Sequence, residues 1–163
     1  MDHNHATEAG TGGTGEPEGC FSVESADESL VFVEPVMRDL VEVYQELMRL
    51  RTERQELATV LGAEARLADL RGRIEQKVER LKALRQELAG VGCEPKDLVG
   101  GLVDFPARFE GRKVWLCWKL GEPSVAWWHE LPDGFAGRRP IDAEFRARVR
   151  DALASAVEPI RPD

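Results

Sequence analysis

The chain has 163 residues, of which 32% are charged and 42% hydrophobic, and this is enough for one domain with a hydrophobic core. Its net charge is −8, and residues 1–37 hold eight acidic residues and no lysine or arginine, so acidic and basic residues balance over the remainder. Since a nucleic-acid partner requires a basic face, the composition argues against nucleic-acid binding. No apolar run approaches the roughly 20 residues that span a bilayer, so no membrane partner is expected.

The N-terminal segment is predicted to be a disordered acidic leader, covering residues 1–20, because it is rich in glycine, threonine and glutamate. It lacks the basic and apolar regions of a secretory signal. The cysteines, Cys20, Cys93 and Cys117, are odd in number and widely spaced. This argues against a disulfide framework and predicts a reducing, cytoplasmic location.

Three helical segments are predicted before residue 90. A capping pattern suggests a short helix over residues 23–33, and Pro35 then ends it, kinks it or starts the next one. Apolar residues in steps of four and three predict a helix over residues 36–61, and the pattern recurs over residues 64–89. Gly62 lies at the break in phase, so we expect two antiparallel helices, with one uninterrupted helix as the alternative.

All four tryptophans fall within residues 101–140, where alternating apolar residues predict an antiparallel sheet. Its three strands are expected at residues 102–108, 112–120 and 124–131. A last helix is expected over residues 143–156. The chain is thus predicted to be α+β, with one domain over residues 21–158: a long antiparallel, coiled-coil-like helical hairpin, a small three-stranded sheet, a C-terminal helix, and then a tail at 159–163.

The strand register decides which residues face the helices. Pairing across turns at residues 110–111 and 121–123 places nine residues on one face, eight of them apolar, and a slip of one residue would destroy this agreement. The nine are Val103, Phe105, Ala107, Val114, Leu116, Trp118, Val125, Trp127 and His129. His129 is therefore predicted to be a hydrogen-bonded core residue.

The opposite face is predicted to carry Asp104 and Cys117 side by side, with a Trp115–Trp128 pair and a Lys113–Glu130 pair. One interpretation is that these pairs only stabilise the sheet. The other is that the exposed tryptophans form a binding surface. Three charged residues flank the sheet in loops, where functional residues often lie: Glu122, Arg138 and Arg139.

Four blocks of sequence have a recognisable order and spacing: GLVDFPA at 101–107, LCWKLGE at 116–122, WH at 128–129, and GFAGR at 134–138 with PI at 140–141. They resemble the signature of the prokaryotic family catalogued as domain of unknown function 2203, and the resemblance covers about residues 21–141. It implies a helical hairpin followed by a C-terminal signature region. It implies no known activity or cofactor and transfers no catalytic residue.

Three classes of function are compatible with these features. The favoured one is a structural or interaction module that forms a homodimer through its helices and its tryptophan-bearing sheet. Four apolar residues off the helical seam require a covering element, either the sheet or a second copy: Met37, Tyr44, Met48 and Val60.

The alternative is a pocket for a small anionic ligand, with arginines as bidentate donors. Its expected residues are Asp104, Trp115, Cys117, Lys119, Glu122, Trp128, His129, Arg138 and Arg139. An enzyme is disfavoured, because the register places Cys117 and His129 on opposite faces of the sheet. No residues have the sequence spacing of a zinc site, so no metal and no cofactor are expected.

Overall fold

The computed structural model describes residues 20–156, with side chains as far as residue 150. The predicted leader and tail therefore lie outside the described residues, except for Cys20. Three helices and a five-stranded antiparallel sheet of order β1-β2-β3-β4-β5 make up the described part. The helices are α1 (Val23–Leu57), α2 (Glu64–Val91) and α3 (Ala143–Ala156). The strands are β1 (Glu94–Asp97), β2 (Leu102–Phe109), β3 (Arg112–Lys119), β4 (Trp127–Glu130) and β5 (Arg139–Pro140), and a 3-10 turn, Phe135–Gly137, precedes β5.

Helix α1 is a single helix of 35 residues, about 52 Å long, so the predicted separation into helices at 23–33 and 36–61 is wrong. Ser22 caps its start, and Ser22 and Ser25 exchange side-chain to backbone hydrogen bonds of 3.0 Å. Pro35 lies on the exposed side. Val33 and Val36, on either side of it, are buried in the core, and their packing stabilises the helix enough for it to continue past the proline.

Because Pro35 lacks a backbone N–H, it removes one hydrogen bond from the middle of α1. Pro35→Ala is therefore expected to raise the free energy of unfolding by about 1–2 kcal/mol, after the greater freedom of the unfolded alanine chain is subtracted. The urea midpoint at unchanged m-value measures this. Gln45→Ala, at another exposed position of α1, is the control and should change little. A lower midpoint for Pro35→Ala would contradict the interpretation.

Helices α1 and α2 form the predicted antiparallel hairpin. Ion pairs cross between them, from Arg80 to Asp39 at 3.3 Å and from Arg66 to Glu53 at 2.6 Å. The outer half of the hairpin has its own small buried cluster, which consists of Leu47, Leu50, Leu70 and Ile74. No helix in the described part combines the length and apolarity needed to cross a membrane.

The register between β2 and β3 is as predicted, with Val103 opposite Trp118, Phe105 opposite Leu116 and Ala107 opposite Val114. The turn has positive φ at both Glu110 (50°) and Gly111 (77°). Such a pair of left-handed residues is typical of a tight two-residue hairpin turn, and this fixes the register of the strands that it joins.

The predicted register between β3 and β4 is wrong by one residue. Leu116 lies opposite Trp128, and Trp115 lies opposite His129. Strand β4 begins at Trp127, and not at residue 124, because residues 120–126 form turns and irregular backbone. The predicted Trp115–Trp128 and Lys113–Glu130 pairs therefore do not form, and His129 lies on the face opposite to the one expected.

The predicted sheet of three strands is also incomplete, because β1 and β5 flank it. Both are short, contain proline and lack apolar alternation, so no strand is predicted at either segment. The helix-facing side of the sheet packs on the first half of α1 and on α3. Trp128 belongs to this core, with ring centroids 4.5 Å from Phe145 and 5.3 Å from Phe109.

Candidate functional site

The face of the sheet opposite the core, which we call the outer face, carries three buried polar side chains. Asp104 and Cys117 are direct neighbours across β2 and β3, and His129 on β4 is displaced from Cys117 by two residues along the sheet. One potential ligand atom from each residue lies within 4.8 Å of the others. We call this set, Asp104, Cys117 and His129, the polar cluster. Its members are only 4%, 1% and 3% exposed.

Hydrogen bonds fix the orientation of the imidazole. Nδ1 of His129 lies 2.8 Å from the carbonyl oxygen of Glu130, and Nε2 lies 3.0 Å from Oδ2 of Asp104. A carbonyl oxygen only accepts, so Nδ1 carries a proton and donates it. Nε2 and the Asp104 carboxyl then share the remaining proton, either as an ion pair or as neutral imidazole and carboxylic acid.

Burial controls the ionisation of the cluster. Loss of hydration raises the pKa of Asp104, and the nearby His129 opposes this effect. Burial likewise raises the pKa of the Cys117 thiol to about 12, and the charge of Asp104 acts in the same direction. The thiol is therefore protonated at neutral pH, whereas a nucleophilic cysteine needs a lowered pKa.

The predicted separation of Cys117 and His129 onto opposite faces is wrong, yet the arrangement is not that of a cysteine nucleophile with its base. Both imidazole nitrogens are engaged, Nε2 with Asp104 and Nδ1 with the Glu130 carbonyl. Neither is directed at the sulfur as a general base would be. The geometry brings together the residues of a dyad without the hydrogen bond that would make it one.

These surroundings predict an order of thiol reactivity. Cys117 and Cys93 are 1% and 4% exposed, and burial raises the pKa of both thiols to about 12, whereas Cys20 is half-buried. Alkylation of the native protein by iodoacetamide should therefore modify Cys20 first, with the other two reacting only on unfolding. Peptide mass spectrometry over time measures this. Early modification of Cys117 would show an open or activated thiol.

The polar cluster lies beneath an open pocket of about 250 Å³. Besides the cluster, the pocket is lined by Lys96, Leu102, Trp115, Leu131, Pro132, Gly134 and Phe135. The wall made by the 3-10 turn is held by Arg138, which binds both carboxylate oxygens of Glu122 at 2.8 Å. The Arg138 guanidinium also lies 4.9 Å from the Trp127 ring and 4.8 Å from the Phe135 ring.

The predicted site residues divide into three groups. Four line the pocket together: Asp104, Trp115, Cys117 and His129. Lys119 lies at its edge, with Nζ 5.7 Å from the Phe135 ring. The other four lie outside the lining: Glu122, Trp128, Arg138 and Arg139.

The arginines are not placed as the anion donors that the sequence suggested. Arg138 already pairs with Glu122, and Arg139 lies over the Trp128 ring at 5.1 Å and within 3.8 Å of Asp133. Conversely, sequence reasoning missed Lys96 and Phe135. Lys96 lies in a strand without an apolar pattern, whereas Phe135 falls within the GFAGR block and could have been selected from it.

Fold and site together define a helical-hairpin protein that carries a small antiparallel sheet and a polar pocket on the sheet's outer face. The family model described as Uncharacterized conserved protein (DUF2203) matches residues 20–141, and the chain belongs to this family. The family resemblance of the sequence blocks is thereby confirmed. The match includes every residue that lines the pocket. No curated protein and no solved structure matches the chain.

Proposed function

We propose that the protein binds a small anionic molecule in the pocket on the outer face of its sheet. The observation that carries the proposal is the burial of Asp104, Cys117 and His129 at the floor of a pocket that is open to solvent. Buried ionisable groups lose hydration, and apolar side chains would fill the same space at no such cost. A binding role explains why these groups face the pocket.

The charge around the pocket supports an anionic ligand. Every second residue of β3 lies on the outer face, and these residues are Lys113, Trp115, Cys117 and Lys119. A lysine therefore lies at each end of this row. Lys96 joins them from β1, with Nζ 4.9 Å from the Trp115 ring. Lys96 is the cation among the residues that line the pocket.

The volume limits the size of the ligand. At about 250 Å³ the pocket is smaller than the roughly 300–1,000 Å³ of sites for drug-sized ligands. A carboxylate or phosphate compound with few heavy atoms fits this space.

The test is a titration of the full chain with inorganic phosphate and with succinate, in the presence of a chelator, followed by ¹H–¹⁵N NMR spectra. We expect saturable shifts at Trp115, Gly134 and Phe135. Lys96→Gln should weaken binding about tenfold, because it removes a charged contact. Lys82→Gln, on the exposed surface of α2, is the matched control and should bind as the parent does. Non-saturating shifts, or shifts away from the pocket, would contradict the proposal.

Self-association through the helices is a second candidate function, which two exposed apolar side chains on α1 favour. Val31 is 86% and Phe32 is 47% exposed, and such neighbouring apolar groups suit a contact between two copies. Met37, by contrast, is fully buried within the chain's own fold and needs no second copy to cover it. Val60, another residue off the helical seam, is exposed at the hairpin tip.

Light scattering at high micromolar concentration tests this second candidate. A dimer is expected, and Val31→Lys should shift it toward monomer. Val99→Lys, at another exposed apolar position, is the control and should leave the dimer intact. A strict monomer at that concentration removes the basis for self-association.

A further inference from the structure

We infer that Asp104, Cys117 and His129 bind a divalent transition-metal ion, with Zn²⁺ as the best fit, and leave one coordination position open toward the pocket. The inference deepens the proposed function and rests on it in one respect: a small anion in the pocket would occupy the open position. Three protein ligands and one exchangeable position are the pattern of zinc sites that bind small molecules or activate water.

The separations of the ligand atoms fit a tetrahedral ion. Zn–N and Zn–O bonds of about 2.1 Å and Zn–S bonds of about 2.3 Å place tetrahedral ligands roughly 3.4–3.6 Å apart. In the structure Nε2 of His129 and Oδ2 of Asp104 are 3.0 Å apart, and all three ligand atoms lie within 4.8 Å. Small side-chain rotations, without movement of the strands, would therefore open the hydrogen bond and admit the ion.

The imidazole is already held in the orientation that a metal ligand needs. Its Nδ1–H donates to the Glu130 carbonyl at 2.8 Å, so Nε2, which lies 3.0 Å from Oδ2 of Asp104, is the nitrogen that would bind the ion. Metal-bound histidines almost always have such a partner on the second nitrogen, because it fixes the tautomer and the ring orientation.

Charge balance favours a doubly charged ion at this buried position. With the carboxylate of Asp104 and the thiolate of Cys117, a divalent ion gives a site with no net charge, and imidazole adds none. Two protons leave for solvent when the ion binds, the thiol proton of Cys117 and the proton that Nε2 of His129 shares with the Asp104 carboxyl, because coordinating thiol, imidazole and carboxyl groups bind in their deprotonated forms. Thiolate, imidazole and carboxylate together are ligands that Zn²⁺ accepts, whereas Mg²⁺ and Ca²⁺ prefer oxygen alone.

Sequence spacing did not indicate this site. Asp104, Cys117 and His129 come from three different strands, at intervals of 13 and 12 residues. Paired ligands of structural zinc sites commonly lie two to five residues apart, so a search for such pairs fails here. The strand register alone brings the three residues together.

The experiment uses the full chain with His3→Ala, His5→Ala and Cys20→Ala, which remove the two other histidines and one other cysteine of the sequence. This background protein is stripped with a chelator and titrated with Co²⁺, whose bond to a thiolate gives a charge-transfer absorption in the near ultraviolet. We expect one equivalent of Co²⁺ with this band, and displacement by Zn²⁺. Absence of the band in the background protein would overturn the inference.

Two cysteine variants of the background protein assign the band. Cys117→Ala should abolish it, whereas Cys93→Ala should retain it. Cys93 is the matched control because it is equally buried but hydrogen-bonds only the Leu88 carbonyl, at 3.5 Å. A band that survives Cys117→Ala, or that disappears in a folded Cys93→Ala protein, would overturn the assignment.

Should Cys117→Ala fail to fold by circular dichroism, Asp104→Asn and His129→Gln supply the test. Each keeps the size of the side chain and should weaken Co²⁺ binding by at least about tenfold. Unchanged affinity in both would overturn the inference. The phosphate and succinate titrations contain chelator and therefore test anion binding without a metal ion. The Co²⁺ titration tests the metal site, so each proposal can fail independently of the other.

Discussion

His129→Ala is expected to lower the free energy of unfolding by about 3 kcal/mol, measured by urea denaturation of chelator-treated protein at pH 7. The substitution removes the imidazole whose Nε2 lies 3.0 Å from Oδ2 of Asp104, and the two side chains are 4% and 5% exposed. The carboxyl group would then be buried without its partner, and this loss of hydration is the main cost.

A double-mutant cycle separates the interaction from the loss of packing. Asp104→Ala should cost a similar amount, and the double variant should be more stable than the sum of the two losses predicts, by about 1 kcal/mol or more. Arg66→Ala, which breaks an exposed pair with Glu53, is the control and should cost less than about 1 kcal/mol. Additive losses at Asp104 and His129 would show that the pair does not interact as the structure indicates.

Trp128→Ala is expected to cost about 3–5 kcal/mol, as the loss of a large buried aromatic side chain does. Trp128 is 7% exposed and packs against Phe109 and Phe145. Trp127→Ala should cost less than half as much, because Trp127 is only half-buried on the outer face, where it stacks on Arg138. Urea midpoints of both variants measure the difference.

This pair of variants tests the register of β4 directly. In the register expected from the sequence, Trp127 faces the helices and the order of the two losses is reversed. A larger loss for Trp127→Ala than for Trp128→Ala would therefore restore that register. In that register His129 would lie on the opposite face from Asp104 and Cys117, and the site on the outer face would not form.

The proposed metal and anion sites both depend on the pocket wall that the 3-10 turn, Phe135–Gly137, forms. Phe135 belongs to a short turn that Arg138 fixes through its Nη2, which donates to both carboxylate oxygens of Glu122. The loop residues with predicted binding roles therefore support the pocket from outside it.

The sequence by itself determined the helical hairpin, the C-terminal helix and the pairing of β2 with β3. Heptad-spaced apolar residues with a glycine at the break indicate two helices, and these residues are local in the chain. A two-residue turn likewise joins β2 to β3, and Glu110 and Gly111 take the left-handed conformation that such a turn requires. Each of these features depends on interactions between residues that are close together in the sequence.

Only the tertiary structure decided the register of β4, and with it the candidate site. Trp127 and Trp128 are adjacent and both apolar, so either of them can face the helices, and the alternation in this segment indicated the wrong one. Distant contacts make the choice: the Val125 N–H donates to Asp27 of α1 at 2.6 Å, and Trp127 and Trp128 pair with β5. Because a slip of one residue exchanges the two faces of a strand, these contacts decide that His129 joins Asp104 and Cys117.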